Sequence, residues 1–404
     1  MAETANRSVD DLLSQRAQRS GSGRLGDPRG SAAFISFVAG FPDPASLPKS
    51  DVAESTRIAL ERDGEWVLQY GAARGYARLV DELLKKLKRD QGIAAGPENL
   101  LITYGASQAL HLACEALVDP GDVILSEEPT WSGAVRTFSN AGAEVVTIPL
   151  TPEGTDVDAL EQELARLRAE GRPAKLFYTI PNFQNPTGST TTLARRQRIV
   201  RLAREYHLPI VEDDAYFDLR YRGERLPTIY SLDDAGLVMY LGTFSKIMAA
   251  GMRLGWVVAA PEIIGVLAGL KAEGGTSPFA GAVAAEFCAS GTLVEHVAEL
   301  TTLYHARRDT MLATLEDSMP AGTRWTDPDG GFFIWVTLPD GVRASVLAAQ
   351  ARERGVEFLP GTACHFSGGD GTLRLSYSFT DEDQIRRGIA ILAELVRGQL
   401  TPAG

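Results

Sequence analysis

Between residues 50 and 270 the chain alternates between two textures. Short runs dense in valine, isoleucine and leucine occur at residues 100–104, 123–126, 144–149, 175–180, 210–212, 237–242 and 255–259. Their near-continuous apolar character predicts strands buried on both faces. The segments between them carry apolar residues at helical spacing. Leu79, Val80, Leu83, Leu84 and Leu87 share one helical face, as do Val157, Leu160, Leu164 and Leu167. Strand alternating with helix predicts an α/β fold with a mostly parallel central sheet.

After Pro278 the pattern changes. A long helical stretch over about residues 280–315 leads to Gly330-Gly331-Phe332-Phe333-Ile334-Trp335-Val336, which reads as a strand. A helix at 345–353, a strand at 372–377 and a helix at 381–395 complete a smaller α+β unit. Residues 1–33 are rich in glycine, serine and arginine and read as an arm with one helix. The pattern thus divides the chain into an N-terminal arm (1–50), a large α/β domain (51–285) and a small C-terminal domain (286–404). No repeat or low-complexity block is present.

Composition narrows the function classes. The 404 residues are 44% apolar and 23% charged, which fits a globular chain rather than a disordered or fibrous one. Forty basic against 52 acidic residues leave a net charge of −12, so the chain repels phosphate backbones and nucleic acid is an unsuitable partner. Cys114, Cys288 and Cys364 are far apart and form no C-x-x-C pair. The five histidines form no ligand-spaced pair, so no metal site is expected. The first twenty residues lack an apolar core and do not read as a signal peptide. The apolar stretch 254–270 is broken by Pro261 and Glu262, so no membrane span is expected. A cytoplasmic protein fits these features. Gly21-Ser22-Gly23-Arg24-Leu25-Gly26 spells a dinucleotide-binding pattern but follows no strand, and reads as a loop.

Three strand ends carry chemistry. Tyr178-Thr-Ile-Pro-Asn-Phe-Gln-Asn185-Pro186-Thr187-Gly188 closes one buried run, Glu212-Asp213-Asp214-Ala-Tyr216 the next, and Gly242-Thr243-Phe244-Ser245-Lys246 the third, with Arg253 downstream. Each is bland alone: a turn, a helix cap, a solvated lysine. Together they deliver an amide, a carboxylate with a phenol, and an amine with a guanidinium to the edge where α/β sheets bind ligands.

This set resembles the fold-type I, pyridoxal-phosphate-dependent aminotransferases, in texture the branch containing aminoadipate and kynurenine aminotransferases. The resemblance runs from about Phe34 to Ile391 and includes the order and spacing of the motifs. It implies a large domain with a mostly parallel sheet, a smaller α+β domain built from both chain ends with the arm (1–50) joining it, and pyridoxal phosphate as cofactor. Lys246 is then the amine that holds the cofactor and moves the α-proton. Asp213 is the acid that keeps the pyridine nitrogen protonated, with Tyr216 three residues on as the family pattern requires. Asp214 is left to a loop or cap role. Asn185 and Tyr216 bond the cofactor's phenolate oxygen. Ala106, Ser107 and Gln108 offer N–H groups to the phosphate at a helix N-terminus, with Thr243, Ser245 and Arg253 beside them. Trp131 stands where relatives usually carry tyrosine; an indole can stack on the ring but lacks the hydroxyl. Arg374 takes the substrate carboxylate, Gly40 brings its backbone close to the substrate, and Arg24 reaches the side-chain pocket from the arm.

The resemblance further implies a cis Asn185-Pro186 bond and a homodimer in which Tyr70 reaches the partner's cofactor phosphate; the alternative is that Tyr70 packs locally. The implied reaction is ping-pong transamination between an L-α-amino acid and a 2-oxo acid, 2-oxoglutarate foremost. A lyase or decarboxylase on the same fold would share every one of these residues. A ligand-sensing module fused to a DNA-binding domain is disfavoured by the short segment ahead of the core and the acidic charge. A catalytically idle subunit is disfavoured by the intact Lys246, Asp213 and Arg374. The amino donor is not readable.

Overall fold

A computed structural model describes residues 9–20, 34–38 and 40–400. Thirteen strands lie among them: β1 (Ile35–Phe37), β2 (Leu100–Thr103), β3 (Val123–Glu128), β4 (Glu144–Thr151), β5 (Gly154–Thr155), β6 (Leu176–Thr179), β7 (Ile210–Asp213), β8 (Val238–Thr243), β9 (Gly255–Val258), β10 (Arg324–Trp325), β11 (Phe333–Thr337), β12 (Val356–Pro360) and β13 (Thr372–Ser376). The seven apolar runs of the central region all form strands, with ends within two residues of those expected.

They build one eight-stranded sheet in the order β2-β9-β8-β7-β6-β3-β4-β5. The neighbours β4-β3-β6-β7-β8 are all parallel, whereas β9 runs antiparallel to both β8 and β2. The two-residue β5 is also antiparallel, to β4; the reversal at β9 has a simple cause. Only residues 244–254 separate β8 from β9, fewer than the dozen or so a parallel crossover needs. The other connections are long enough for helices. The helix Val157–Ala169 begins at Asp156, whose carboxylate accepts from the N–H groups of Asp158 and Ala159, and it buries Val157, Leu160, Leu164 and Leu167 as their spacing requires.

The long helix expected over 280–315 is two helices, Pro278–Ala289 and Thr292–Ser318. Gly291, between them, has φ +86°, the left-handed conformation that ends helices. Apolar spacing continues across the break and hides it. The first helix packs on Lys49–Asp63 and Ala77–Gln91, and the second on Glu382–Leu400.

A second sheet has the order β1-β12-β13-β11-β10. The two-residue β10 was not expected, nor were β1 and β12, which are short and mix polar with apolar residues. They pair in parallel, Phe37 opposite Phe358, and so tie the N-terminal segment to the C-terminal region. Helix Glu382–Leu400 lies so close on β1 that a Cβ at Gly388 would meet the Phe37 ring at 2.6 Å. We propose that the two sheets mark two domains, with the N-terminal segment belonging to the smaller.

Phe37 is fully buried at that junction. Phe37→Ala should cost about 3–5 kcal/mol, read as a lower midpoint of urea unfolding.

Candidate active site

The C-terminal ends of β6, β7 and β8 open into a cavity of about 940 Å³. Asp213, the last residue of β7, lines it and is 4% exposed. The Tyr178 hydroxyl donates to its Oδ2 at 2.7 Å, while its Oδ1 is buried with no hydrogen-bond partner among the described residues. Burial pushes the Asp213 carboxyl up to about 6; the Tyr178 bond and the Lys246 charge oppose the rise.

Lys246 ends the short helix Phe244–Lys246 that follows β8. The Thr243 hydroxyl caps this turn by accepting from the Ser245 N–H at 3.1 Å, and lies 2.9 Å from the Ser245 hydroxyl. The Lys246 ammonium donates to the Gly40 carbonyl at 2.8 Å. Burial, followed by the charges of Arg374 and Arg253, lowers the amine to about 8; Asp213 pulls the other way. Gly40 has no room for a side chain, since a Cβ would stand 2.8 Å from the Phe333 ring.

Gly105, Ala106 and Ser107 line the cavity at the start of the helix Ala106–Leu117. The first N–H groups of a helix have no partner within it. Arg253 stands beside them and donates to the Tyr104 carbonyl at 3.0 Å. Gln108 is not part of this lining. Its N–H meets the Gly105 carbonyl at 3.2 Å, its side-chain oxygen accepts from the Tyr104 N–H, and its amide nitrogen donates to Glu273.

Asn185 lines the same cavity, and the Asn185-Pro186 bond is cis, as expected. Its Oδ1 accepts from Arg374 Nη1 at 2.8 Å. Arg374, on β13 and 5% exposed, also donates to the Val38 carbonyl, and its guanidinium lies 4.1 Å from the centre of the Phe333 ring. Among the described residues no carboxylate bonds it, and its Nε has no partner. Burial therefore lowers its pKa, and a carboxylate arriving there would be strongly favoured. Tyr216 is buried edge-on against Phe332 and Phe333, and burial raises its phenol. Trp131 also faces the cavity.

Asp214 points elsewhere. The Asn182 amide donates to both of its oxygens at 3.0 Å, so it braces a buried loop and caps no helix. Tyr70 is 92% exposed and outside the cavity, close to the exposed Trp66 and Leu68. Arg24 lies outside the described residues, as does the Gly21–Gly26 segment. Sequence reasoning passed over Tyr178 and Phe333. A tyrosine in an otherwise apolar buried strand needs a partner for its hydroxyl, and that demand was the available signal for Tyr178.

Residues 40–392 match the family model described as aminotransferase class I and II. The chain belongs to that family. It is similar to aromatic-amino-acid aminotransferase 1 of Thermococcus litoralis, at 39% identity over 370 residues, covering 91% of this chain and 88% of the relative. Among solved structures it is similar to Pyrococcus horikoshii kynurenine aminotransferase, with TM-score 0.91 and 37% identity over 97% of this chain and 98% of the other. It is also similar to LysN, the alpha-aminoadipate aminotransferase of Thermus thermophilus, with TM-score 0.89 and 34% identity over 98% and 99%. As a fold-type I aminotransferase the chain is an enzyme with pyridoxal phosphate as its cofactor. No described helix is long and apolar enough to cross a membrane.

One consequence is measurable without cofactor. A carboxyl raised from 3.8 to about 6 in the fold contributes stability below about pH 4 that is lost as pH rises through 6. Asp213→Asn should therefore stabilise the cofactor-free aminotransferase at pH 8, by up to about 3 kcal/mol. The gain should shrink as pH falls towards 5 in thermal unfolding.

Proposed function

We propose that this cavity is where the aminotransferase carries out ping-pong transamination, moving the amino group of an L-α-amino acid to 2-oxoglutarate. The unpartnered Asp213 Oδ1, buried in the same cavity as the Lys246 amine, carries this reading. It is an acceptor in want of a donor, and a protonated pyridine nitrogen is such a donor. The donor set fits pyridoxal phosphate elsewhere too. Lys246 would hold it covalently, Asn185 and Tyr216 would bond its phenolate oxygen, and Trp131 would cover its ring. The phosphate would meet the N–H groups at Ala106 and Ser107, the hydroxyls of Ser107, Thr243 and Ser245, and Arg253. Gln108 would contribute by shaping that first helical turn.

When bound, the cofactor supplies an electron sink for the pair left behind as the α-proton departs. The residues do the rest. Arg374 would bind the α-carboxylate of the amino acid and of the 2-oxo acid in turn, and Gly40 would leave room for it. Lys246, half neutral near pH 8, would take the α-proton and hand it back. Asp213 would hold its ring-nitrogen partner protonated throughout.

The cavity lining includes Phe41, Pro42, Pro44, Leu47 and Phe379, which would face the side chain of the substrate. Asp213, Lys246 and Arg253 are the charged groups among the described lining residues. This wall favours donors with large apolar or aromatic side chains, consistent with relatives named for aromatic substrates. The second carboxylate of 2-oxoglutarate needs a cation there, and Arg24 from the arm is the proposed source. Tyr70, with Trp66 and Leu68, would be covered in a homodimer, its hydroxyl reaching the partner's phosphate. The proposed setting is the cytoplasm.

With 2-oxoglutarate as acceptor, phenylalanine, tyrosine and leucine should show kcat/KM at least about tenfold above aspartate, because the apolar wall strips water from a side-chain carboxylate. Aspartate as the best donor would overturn the substrate class. Incubating cofactor-free enzyme with limiting pyridoxal phosphate at pH 8, then reducing with borohydride, should label Lys246 ahead of the exposed lysines. Peptide mapping reads the outcome, and a label on another lysine removes Lys246 from its role.

A further inference from the structure

We infer that Tyr178 is the positioning residue that keeps Asp213 ionised and turns one of its oxygens toward the cofactor's ring nitrogen. The inference rests on the role proposed for Asp213 and adds the residue that makes that role workable.

Tyr178 sits on β6, beside β7, and is fully buried. Its ring meets Phe138 edge-on at 5.5 Å, and its hydroxyl donates to Asp213 Oδ2 at 2.7 Å. That bond occupies one carboxylate oxygen and leaves Oδ1 bare and buried. The two oxygens are thereby made unequal, which fixes the direction the free one faces.

The same bond bears on the proton. A buried carboxylate with no donor tends to take up a proton, and here the nearest proton is the one the ring nitrogen must keep. A hydrogen bond to the ionised form makes the carboxylate a poorer base and leaves the proton on nitrogen. A neutral phenol does this without adding a positive charge that would repel the pyridinium. An arginine in its place would pay back part of the gain. The charged and titratable groups bearing on Asp213 are Tyr178 and Lys246; those bearing on Tyr178 are Asp213, Glu127 and Tyr216. Glu127 accepts from Thr155, Thr179 and the Ile180 N–H, and does not compete for the Tyr178 proton. Burial and these acidic neighbours hold the phenol well above its ordinary range, so it donates at every working pH.

The test uses holoenzyme carrying ¹⁵N-labelled pyridoxal phosphate, with the nitrogen resonance followed from pH 6 to 9. Wild type should show a protonated nitrogen. Tyr178→Phe, which keeps the ring against Phe138, should move the resonance toward the unprotonated position, with the proton distribution changed about tenfold or more. In cofactor-free protein labelled with ¹³C-aspartate, the Asp213 titration should move up in Tyr178→Phe. It should move down when 2,3-difluorotyrosine, a stronger donor of the same shape, replaces Tyr178. The fluorinated protein decides the matter if Tyr178→Phe does not fold. An Asp213 titration unmoved by either replacement overturns the inference, because a tyrosine that only packs would change stability alone. An unprotonated nitrogen in the wild type would instead remove the role of Asp213 itself.

Discussion

The structure turns on a carboxylate buried at the end of a central strand. Taking such a charge out of water is costly unless donors answer it. Asp213 has one answer from the protein, the Tyr178 hydroxyl, and one oxygen left over. The parallel run of neighbouring strands gathers the other groups around it. Because β6, β7 and β8 run the same way, Asn185, Asp213 and Lys246 all emerge beyond one edge, although long stretches of chain separate them. A strand reversed among these three would carry its group to the opposite end.

The cations around that carboxylate press on one another. Lys246 is lowered to about 8 first by burial and then by Arg374 and Arg253, so its amine is available where an exposed lysine would be protonated. Arg374 is buried against neutral partners: an amide oxygen, a backbone carbonyl and the face of Phe333. A buried guanidinium with no counter-charge among these partners suits the role proposed for it, binding the substrate carboxylate. The arrangement also joins the two sheets. Arg374 comes from the smaller sheet and bonds Asn185 beyond the larger, while the Gly40 carbonyl, just after β1, receives the Lys246 ammonium. Relative movement of the sheets would alter both bonds.

Much of this was legible in the chain. Strands buried on both faces are apolar throughout, so six of the seven central strands stood out as short runs for that reason; β4 is apolar enough to be found but is largely half-exposed, against the expectation of burial on both faces. Asp213 could be separated from Asp214 by its distance to Tyr216. The structure gives the same separation a physical form: Asp213 faces the cavity, and Asp214 is spent on Asn182.

What the sequence determined by itself was local: periodicity, strand ends, and the residue types that a pyridoxal-phosphate enzyme requires. The rest depended on distant parts of the chain meeting. The antiparallel course of β9 follows from a connection too short to cross over, and the helix break at Gly291 is silent in the apolar pattern. The strand β1 exists because β12 pairs with it, and Gln108 turns to Glu273 because that loop returns beside it. The bond from Tyr178 to Asp213 joins residues 35 positions apart on neighbouring strands. Periodicity reports which face a side chain takes; only the packed sheet decides which side chain it meets there.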